Sequence, residues 1–191
     1  AGVPLDSILR GQRGPVHFPL PVEALSAEIS VHELAEEGWE GTNVRVRSLR
    51  VRHASFTVGY RVEAFGRSVV FIPDCELVGG EYPVARGWMD RLVEFVDGAD
   101  LLIHDAMFTT EEYQELEGWG HSTFSQVLEL GERAGVRSLR FFHHSPKRAD
   151  AELDLIVQHY REEIGVHGIG LELDAAAEGA LDRVGLPAPA P

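Results

Sequence analysis

Four short motifs, RHASFTVGYRVE, VVFIPDCE, GWGHSTFSQ and LRFFHHSP, each close an apolar run. They place His53, Asp74, His121 and His143 at strand ends or at the mouth of a helix. Imidazole nitrogen and carboxylate oxygen are favoured zinc donors, and a two-metal hydrolytic centre needs terminal histidines together with one carboxylate that bridges. His53, Asp74 and His143 supply that mixture as candidate metal ligands. Their distance apart in the chain is no obstacle, because strand C-termini converge in α/β sheets. Each residue alone is a weak signal: a histidine at a strand end is more often structural, and an Asp after a buried strand often caps a turn. Their order along the chain carries the reading, which is half of a metal site.

The elements that must hold these residues are legible in the periodicity. The stretch before about Glu40 is irregular, with PLDSILRGQRG as a short helix and the proline-bounded PVHFPLP around Phe18. Such a segment either covers a cavity or packs on the core as a loop. From Val44 to Arg52 the pattern alternates as a strand, a second strand carries Tyr60 and Val62, and Val69 to Ile72 form an apolar run that suits a strand covered on both faces. A helix with Trp88, Leu92, Phe95 and Val96 at helical spacing leads to the strand Leu101 to Ile103. Thr123 and Gln126 form a capping box for a helix with Phe124, Val127, Leu128 and Ala134 on one face, so His121 lies just before its N-terminus. Free N–H groups and the helix dipole favour negative charge there. The strand Leu139 to Phe142 delivers His143, and Asp150 can cap a long helix with Leu153, Ile156, Val157, Tyr160 and Ile164 on one side. Strands alternating with helices indicate a layered α/β domain, expected over residues 1–182, with 183–191 as a flexible Pro/Ala tail.

Composition sets limits. With 191 residues, 44% of them hydrophobic, the chain buries on the order of 70% of its unfolded surface as one domain. Its net charge of −14 repels long polyphosphates unless a local basic stripe intervenes. Arg45, Arg47, Arg50 and Arg52 read instead as one solvated face of a strand. Small anionic substrates are therefore expected, and long nucleic acid is not. The single Cys75 makes no internal disulfide, and no stretch serves as a signal peptide or membrane span, so the default is a reducing cytoplasm. Cys75 is either a redox-sensitive neighbour of Asp74 or a buried inert thiol, the commoner case.

In order, the motifs over about residues 44 to 147 resemble the metallo-β-lactamase fold hydrolases. The branch concerned is that of the tRNA 3′-processing endonucleases, cyclic-nucleotide phosphodiesterases and phosphonate-pathway phosphodiesterases. The resemblance implies an αββα sandwich and two zinc ions, with manganese or iron as alternatives. It implies that His53, ahead of Gly59-Tyr60-Arg61, binds the first metal, that Asp74 bridges both, and that His143 binds the second. His121, in a GHST-type segment, would assist proton transfer or contact phosphate. The family signature H-x-H-x-D-H is nowhere in the 191 residues, and neither His17 nor His32 has its spacing. The opening segment looks like the stretch that follows the signature, so the fold is expected to be incomplete on its N-terminal side. Two remaining ligands per metal would be worth on the order of 5–8 kcal/mol, which corresponds to micromolar to submillimolar zinc.

His104 and Asp105, ending a buried strand, either orient a ligand or simply pack and cap a turn. His144 should point away from His143 and has no ligand role. Lys147 and Arg148 read as a solvated loop more readily than as a phosphate clamp. Trp119 and Phe18 line an apolar part of the pocket or belong to the core, and His159, His167 and His32 read as surface. The expected function is a metal-dependent phosphodiesterase acting on a small phosphodiester through a metal-bridging hydroxide, with homodimers suggested by relatives. The competing expectation is a non-catalytic partner-binding module that kept the fold without the full metal site.

Overall fold

The structure, a computed structural model, describes residues 4–12, 38–168 and 170–184, with 20, 24–26, 29 and 31 besides. His17, His32, Phe18 and the tail beyond 184 lie outside the described residues. The chain divides into two compact units, 1–35 and 36–191. In the first, α1 (Leu5–Gln12) forms where the short helix is expected, with an exposed Asp6–Arg10 ion pair of 2.8 Å one turn apart.

The second unit is built on one seven-stranded sheet in the order β1 (Trp39–Glu40), β2 (Val44–Arg50), β3 (Val58–Ala64), β4 (Arg67–Ile72), β5 (Leu101–Asp105), β6 (Ser138–Phe142), β7 (Glu172–Ala175). The first four strands pair antiparallel and the last four parallel. The change follows from the connections: a seven-residue loop joins β2 to β3 and a tight turn β3 to β4, whereas α2 (Trp88–Val96), α4 (Phe124–Arg133) and α5 (Asp150–His167) provide the crossovers that parallel strands require. This is the α/β class expected from the sequence.

Two rows of side chains cross the sheet in register. Val70, Leu102, Leu139 and Leu173 form one, and Ile72, His104, Phe141 and Ala175 the other. Leu92 and Val96 of α2, Phe124, Val127 and Leu128 of α4, and Val157 and Ile164 of α5 join them in one core. Burying each such side chain is worth about 1.5–3 kcal/mol. The four residues expected to be buried on α2 are the four that are.

Three expectations need correcting. β4 is not covered on both faces, because Val70 and Ile72 are buried while Val69 and Phe71 are only half-buried. Asp150 does not cap α5: Ala149 holds the N-cap position without a side-chain hydrogen bond, and Asp150 is the first helical residue. The four arginines do not share a solvated face, since Arg45 and Arg47 alternate out of phase with Arg50 and Arg52. Arg47 pairs with Glu63 at 3.3 Å, and Arg52 donates to the carbonyls of Leu77 (3.0 Å), Gly79 and Gly80 (2.9 Å) while lying over Tyr82 and Trp88.

Candidate metal centre

The C-terminal ends of β4, β5 and β6 lie side by side, with Ile72 opposite His104 and Asp105 opposite Phe142. One or two residues beyond these pairs, Asp74 and His143 leave the sheet at the same edge as Asp105. The loop into α4 brings His121 to them. One ligand atom from each of Asp74, Asp105, His121 and His143 lies within 4.8 Å of all the others.

Within the group the contacts are uneven. His121 Nδ1–H donates to Asp105 Oδ2 at 2.7 Å, an acceptor that also takes the Cys75 amide at 3.0 Å. His143 Nδ1 stands 3.4 Å from Asp74 Oδ1 and 3.8 Å from Asp105 Oδ1, close enough to pair electrostatically but without hydrogen-bond geometry. Asp105 Oδ1 and His143 Nδ1 are both buried and have no hydrogen-bond partner. Unsatisfied buried polar atoms are costly, and the unpartnered His143 Nδ1, 3.4 Å from Asp74 Oδ1, fits a cation between those two groups. His143 also adopts φ 57°, a left-handed conformation that costs a non-glycine residue on the order of 1 kcal/mol and concentrates at functional sites.

The charges follow from this geometry. Burial works against ionisation of Asp105, yet the hydrogen bond from His121, the adjacent His143 and the Cys75 amide together hold its pKa below the ordinary range. Asp105 in turn raises the pKa of His143 against the opposing effect of burial, with Asp74 adding to the pull. An ionised Asp105 faced by the His121 and His143 imidazoles results.

His53 is not one of the four. It sits in the β2–β3 loop, its ring centroid 5.6 Å from that of His121 and its Nδ1 accepting from the Ser55 amide at 3.3 Å. Gly120 makes this approach feasible: at φ 97° its missing Cβ would stand 2.5 Å from His53 Cδ2. The structure thus groups Asp74, His121 and His143, sets His53 beside them, and adds Asp105 as a full member.

The scaffold behind the group is a residue the motifs did not single out. Glu76 is fully buried and accepts from the Tyr82 hydroxyl, the Tyr113 hydroxyl at 2.5 Å, and the amides of Gly118 (2.8 Å) and Gly120 (2.9 Å). These donors offset its burial and hold its carboxyl below the ordinary Glu value. Ser122 Oγ–H donates to the Cys75 carbonyl at 2.6 Å, and its oxygen accepts from the Leu77 amide at 3.1 Å. The Asp74 turn and the His121 loop are therefore tied together at two points. α4 opens on the expected capping box, with Gln126 N–H donating to Thr123 Oγ1 at 3.1 Å and the Thr123 amide donating to Gln126 Oε1 at 3.2 Å.

The other candidates separate cleanly. Cys75 is fully buried and its thiol pKa is pushed far up, chiefly by burial, which is the inert case. His104 is fully buried in a core row with Nδ1–H donating to the Asp105 carbonyl at 2.7 Å, and burial keeps it neutral. His144 turns away, 3.4 Å from the Ala176 carbonyl. Arg148 is not a solvated loop residue: its side chain is 2% exposed and pairs with Glu112 and Glu152, each at 2.6 Å. His159 and His167 are exposed, and Trp119 is 65% exposed, which removes it from the core. Among the described residues, no helix is long and apolar enough to cross a membrane.

Comparison with known proteins agrees with this geometry. Residues 12–144 match the family model of the beta-lactamase superfamily domain. The ribonuclease Z of Ignicoccus hospitalis is 44% identical over 61 residues, which is 32% of this chain and 20% of that protein. The ribonuclease Z of Shouchella clausii is 35% identical over 124 residues, 65% of this chain and 34% of that protein. The chain therefore spans between 20% and 34% of the length of these curated relatives. Among solved structures, the metallo-beta-lactamase fold protein YhfI from Bacillus subtilis superposes with a TM-score of 0.57 at 18% identity, covering 76% of this chain and 52% of that one. The relatives' name runs against the expectation that excluded long nucleic acid. That expectation rested on net charge, which says nothing of a local field or of parts a relative has beyond the matched region. Strand order, the clustered ligand atoms and the family match converge: the chain belongs to the beta-lactamase superfamily and has the metallo-β-lactamase fold.

Proposed function

We propose that this chain carries part of the active centre of a metal-dependent hydrolase that cleaves a small phosphodiester. The observation that supports it most is the group of Asp74, Asp105, His121 and His143 within 4.8 Å, with His143 Nδ1 buried, unpartnered and 3.4 Å from Asp74 Oδ1. Asp74 and His143 are the residues that would hold the metal, with the His53 ring beside that of His121, centroids 5.6 Å apart. Bound there, a divalent ion such as zinc would polarise the phosphoryl oxygen and lower the pKa of a water molecule.

The remaining steps belong to the protein. Asp105 fixes His121 with its Nδ1 as hydrogen-bond donor, which leaves Nε2 to exchange a proton with the leaving oxygen. The carboxylate also stabilises the imidazolium that this exchange passes through. In this role Asp105 is a positioning residue and His121 is the general acid. A second reading, in which the phosphodiester belongs to an RNA chain, is favoured by the name ribonuclease Z shared by the curated relatives.

The test is hydrolysis of bis(p-nitrophenyl) phosphate with zinc or manganese, alongside metal binding by calorimetry. His143→Ala and Asp74→Ala should each lower metal affinity at least tenfold and abolish turnover, while His121→Ala should keep the metal and lose about 10²–10⁴ in kcat. Unchanged metal affinity in both ligand variants, with the fold intact by circular dichroism, would leave the partner-binding module as the better reading.

A further inference from the structure

Asp105 ends β5, His143 follows β6, and His121 lies on the loop before α4. The exit of β5 and the His121 loop are laced together. The Met107 and Phe108 amides donate to the Ser122 carbonyl at 3.0 and 3.2 Å, and the Phe124 amide donates back to the Phe108 carbonyl at 3.0 Å, a short parallel bridge that sets Phe108 opposite Thr123. The Phe108 ring stands edge-on to the His121 imidazole with centroids 6.0 Å apart. Whatever fixes this bridge fixes His121.

Arg148, on the loop that follows His143, grips the bridge from the third side. Its Nη2–H donates to the Met107 carbonyl at 3.3 Å, and the guanidinium lies 5.4 Å over the Phe124 ring. Nη2 also donates to Glu112 Oε2 of α3 (Thr110–Leu116) at 2.6 Å, the same oxygen that takes the Thr109 amide in the cap of that helix. Nη1 donates to Glu152 Oε1 of α5 at 2.6 Å. One group thus joins the β5 exit, α3, α4 and α5. Its side chain is 2% exposed, and its Nε is buried without a hydrogen-bond partner among the described residues. As a source of stability this is a poor device, because a buried ion pair gains little over apolar residues of similar volume. As a source of geometry it is a good one. The planar fork holds two carboxylates, a carbonyl and a ring at set angles, which the point charge of a lysine cannot do.

We propose that Arg148 is the positioning residue of His121: it fixes the bridge between the β5 exit and the His121 loop, and so holds the imidazole against Asp105 Oδ2. The proposal deepens the phosphodiesterase reading and rests on it for the role of His121. Arg148 touches no reacting atom and acts only through His121.

Hydrogen exchange of the His121 Nδ1 proton, read by NMR in the full chain, reports the His121–Asp105 hydrogen bond directly. Arg148→Met, apolar and of similar length, should keep the far-UV circular dichroism spectrum and a cooperative thermal transition. It should nevertheless speed this exchange by ~10-fold or more, because the loop then opens locally. Arg148→Lys keeps the charge without the fork and should show the same acceleration. In turnover of bis(p-nitrophenyl) phosphate both variants should lose about 10–10² in kcat with KM unchanged. Unchanged exchange in either variant that folds would overturn the proposal, and so would failure of both to fold, which would make Arg148 a stability residue. The two readings fail separately: turnover by the wild type with unchanged exchange in the variants removes only the role of Arg148, whereas accelerated exchange without wild-type turnover removes only the phosphodiesterase.

Discussion

At the scale of single residues, the site depends on which atoms are already committed. Asp105 spends Oδ2 on the His121 ring and the Cys75 amide and keeps Oδ1 free toward His143. Asp105→Asn preserves shape but removes the charge and allows the wrong His121 tautomer, so kcat should fall on the order of 10²–10⁴ while bound metal persists. Turnover measured beside metal content checks this, and loss of both together would make Asp105 a ligand instead. Gly120 is the complementary case. A Cβ at φ 97° would be strained and would strike the His53 ring, so Gly120→Ala should cost about 1–3 kcal/mol in denaturant unfolding and displace His53. An unchanged midpoint with the histidine resonance of His53 undisturbed would contradict that. Asp74, His121 and His143 were legible in the sequence because each ends an apolar run in a recognisable motif. Asp105 was visible only as one of two equal options, since a carboxylate after a buried strand looks the same whether it orients a histidine or caps a turn.

At the scale of elements, Glu76 ties its own turn to Tyr113, Gly118 and Gly120, which lie 37 to 44 residues further along the chain. Its carboxylate fixes the Gly118–Gly120 approach to His121 and the Tyr113 face of α3. Glu76→Gln replaces an acceptor by an amide whose N–H₂ meets donors, so a loss of about 2–3 kcal/mol is expected, read as a lower thermal midpoint. The pH dependence has a definite sign. Because the folded pKa lies below the ordinary 4.5, this contribution is full above that value and is lost as pH falls through the folded pKa. Wild type should therefore lose stability on acidification below about pH 4.5 more steeply than Glu76→Gln; parallel curves would remove Glu76 as the tie. No periodic signal marks Glu76, because a lone acid inside PDCELV says nothing about donors arriving from distant loops. α3 is different: Thr109 and Glu112 form a reciprocal capping box, with contacts of 2.8 and 3.3 Å, and the Thr-x-x-Glu spacing could have revealed it.

At the scale of the whole molecule, the sheet explains why the motifs need not be close in sequence. Parallel pairing of β4, β5 and β6 brings three strand ends together, and this convergence was legible from the alternation of strands and helices. The burial pattern was less legible. Val69 to Ile72 read as a strand buried on both sides, but the helices cover one face, and across the other Tyr60 and Val62 each retain 37% exposure. Apolar runs report hydrophobicity, not which face a neighbour covers. Net charge was the least informative quantity, since −14 is a sum over a surface on which Arg47, Arg52, Arg140 and Arg148 are engaged in internal pairing and stacking.

The measurement that bears most directly on the metal centre is anomalous diffraction at the zinc edge from crystals of the chain grown with zinc. The expected result is a peak about 2.0–2.2 Å from a carboxylate oxygen of Asp74 and an imidazole nitrogen of His143, with the His121–Asp105 hydrogen bond intact beside it. Zinc found only at exposed histidines such as His159 or His167, with the space between Asp74 and His143 filled by water, would contradict it.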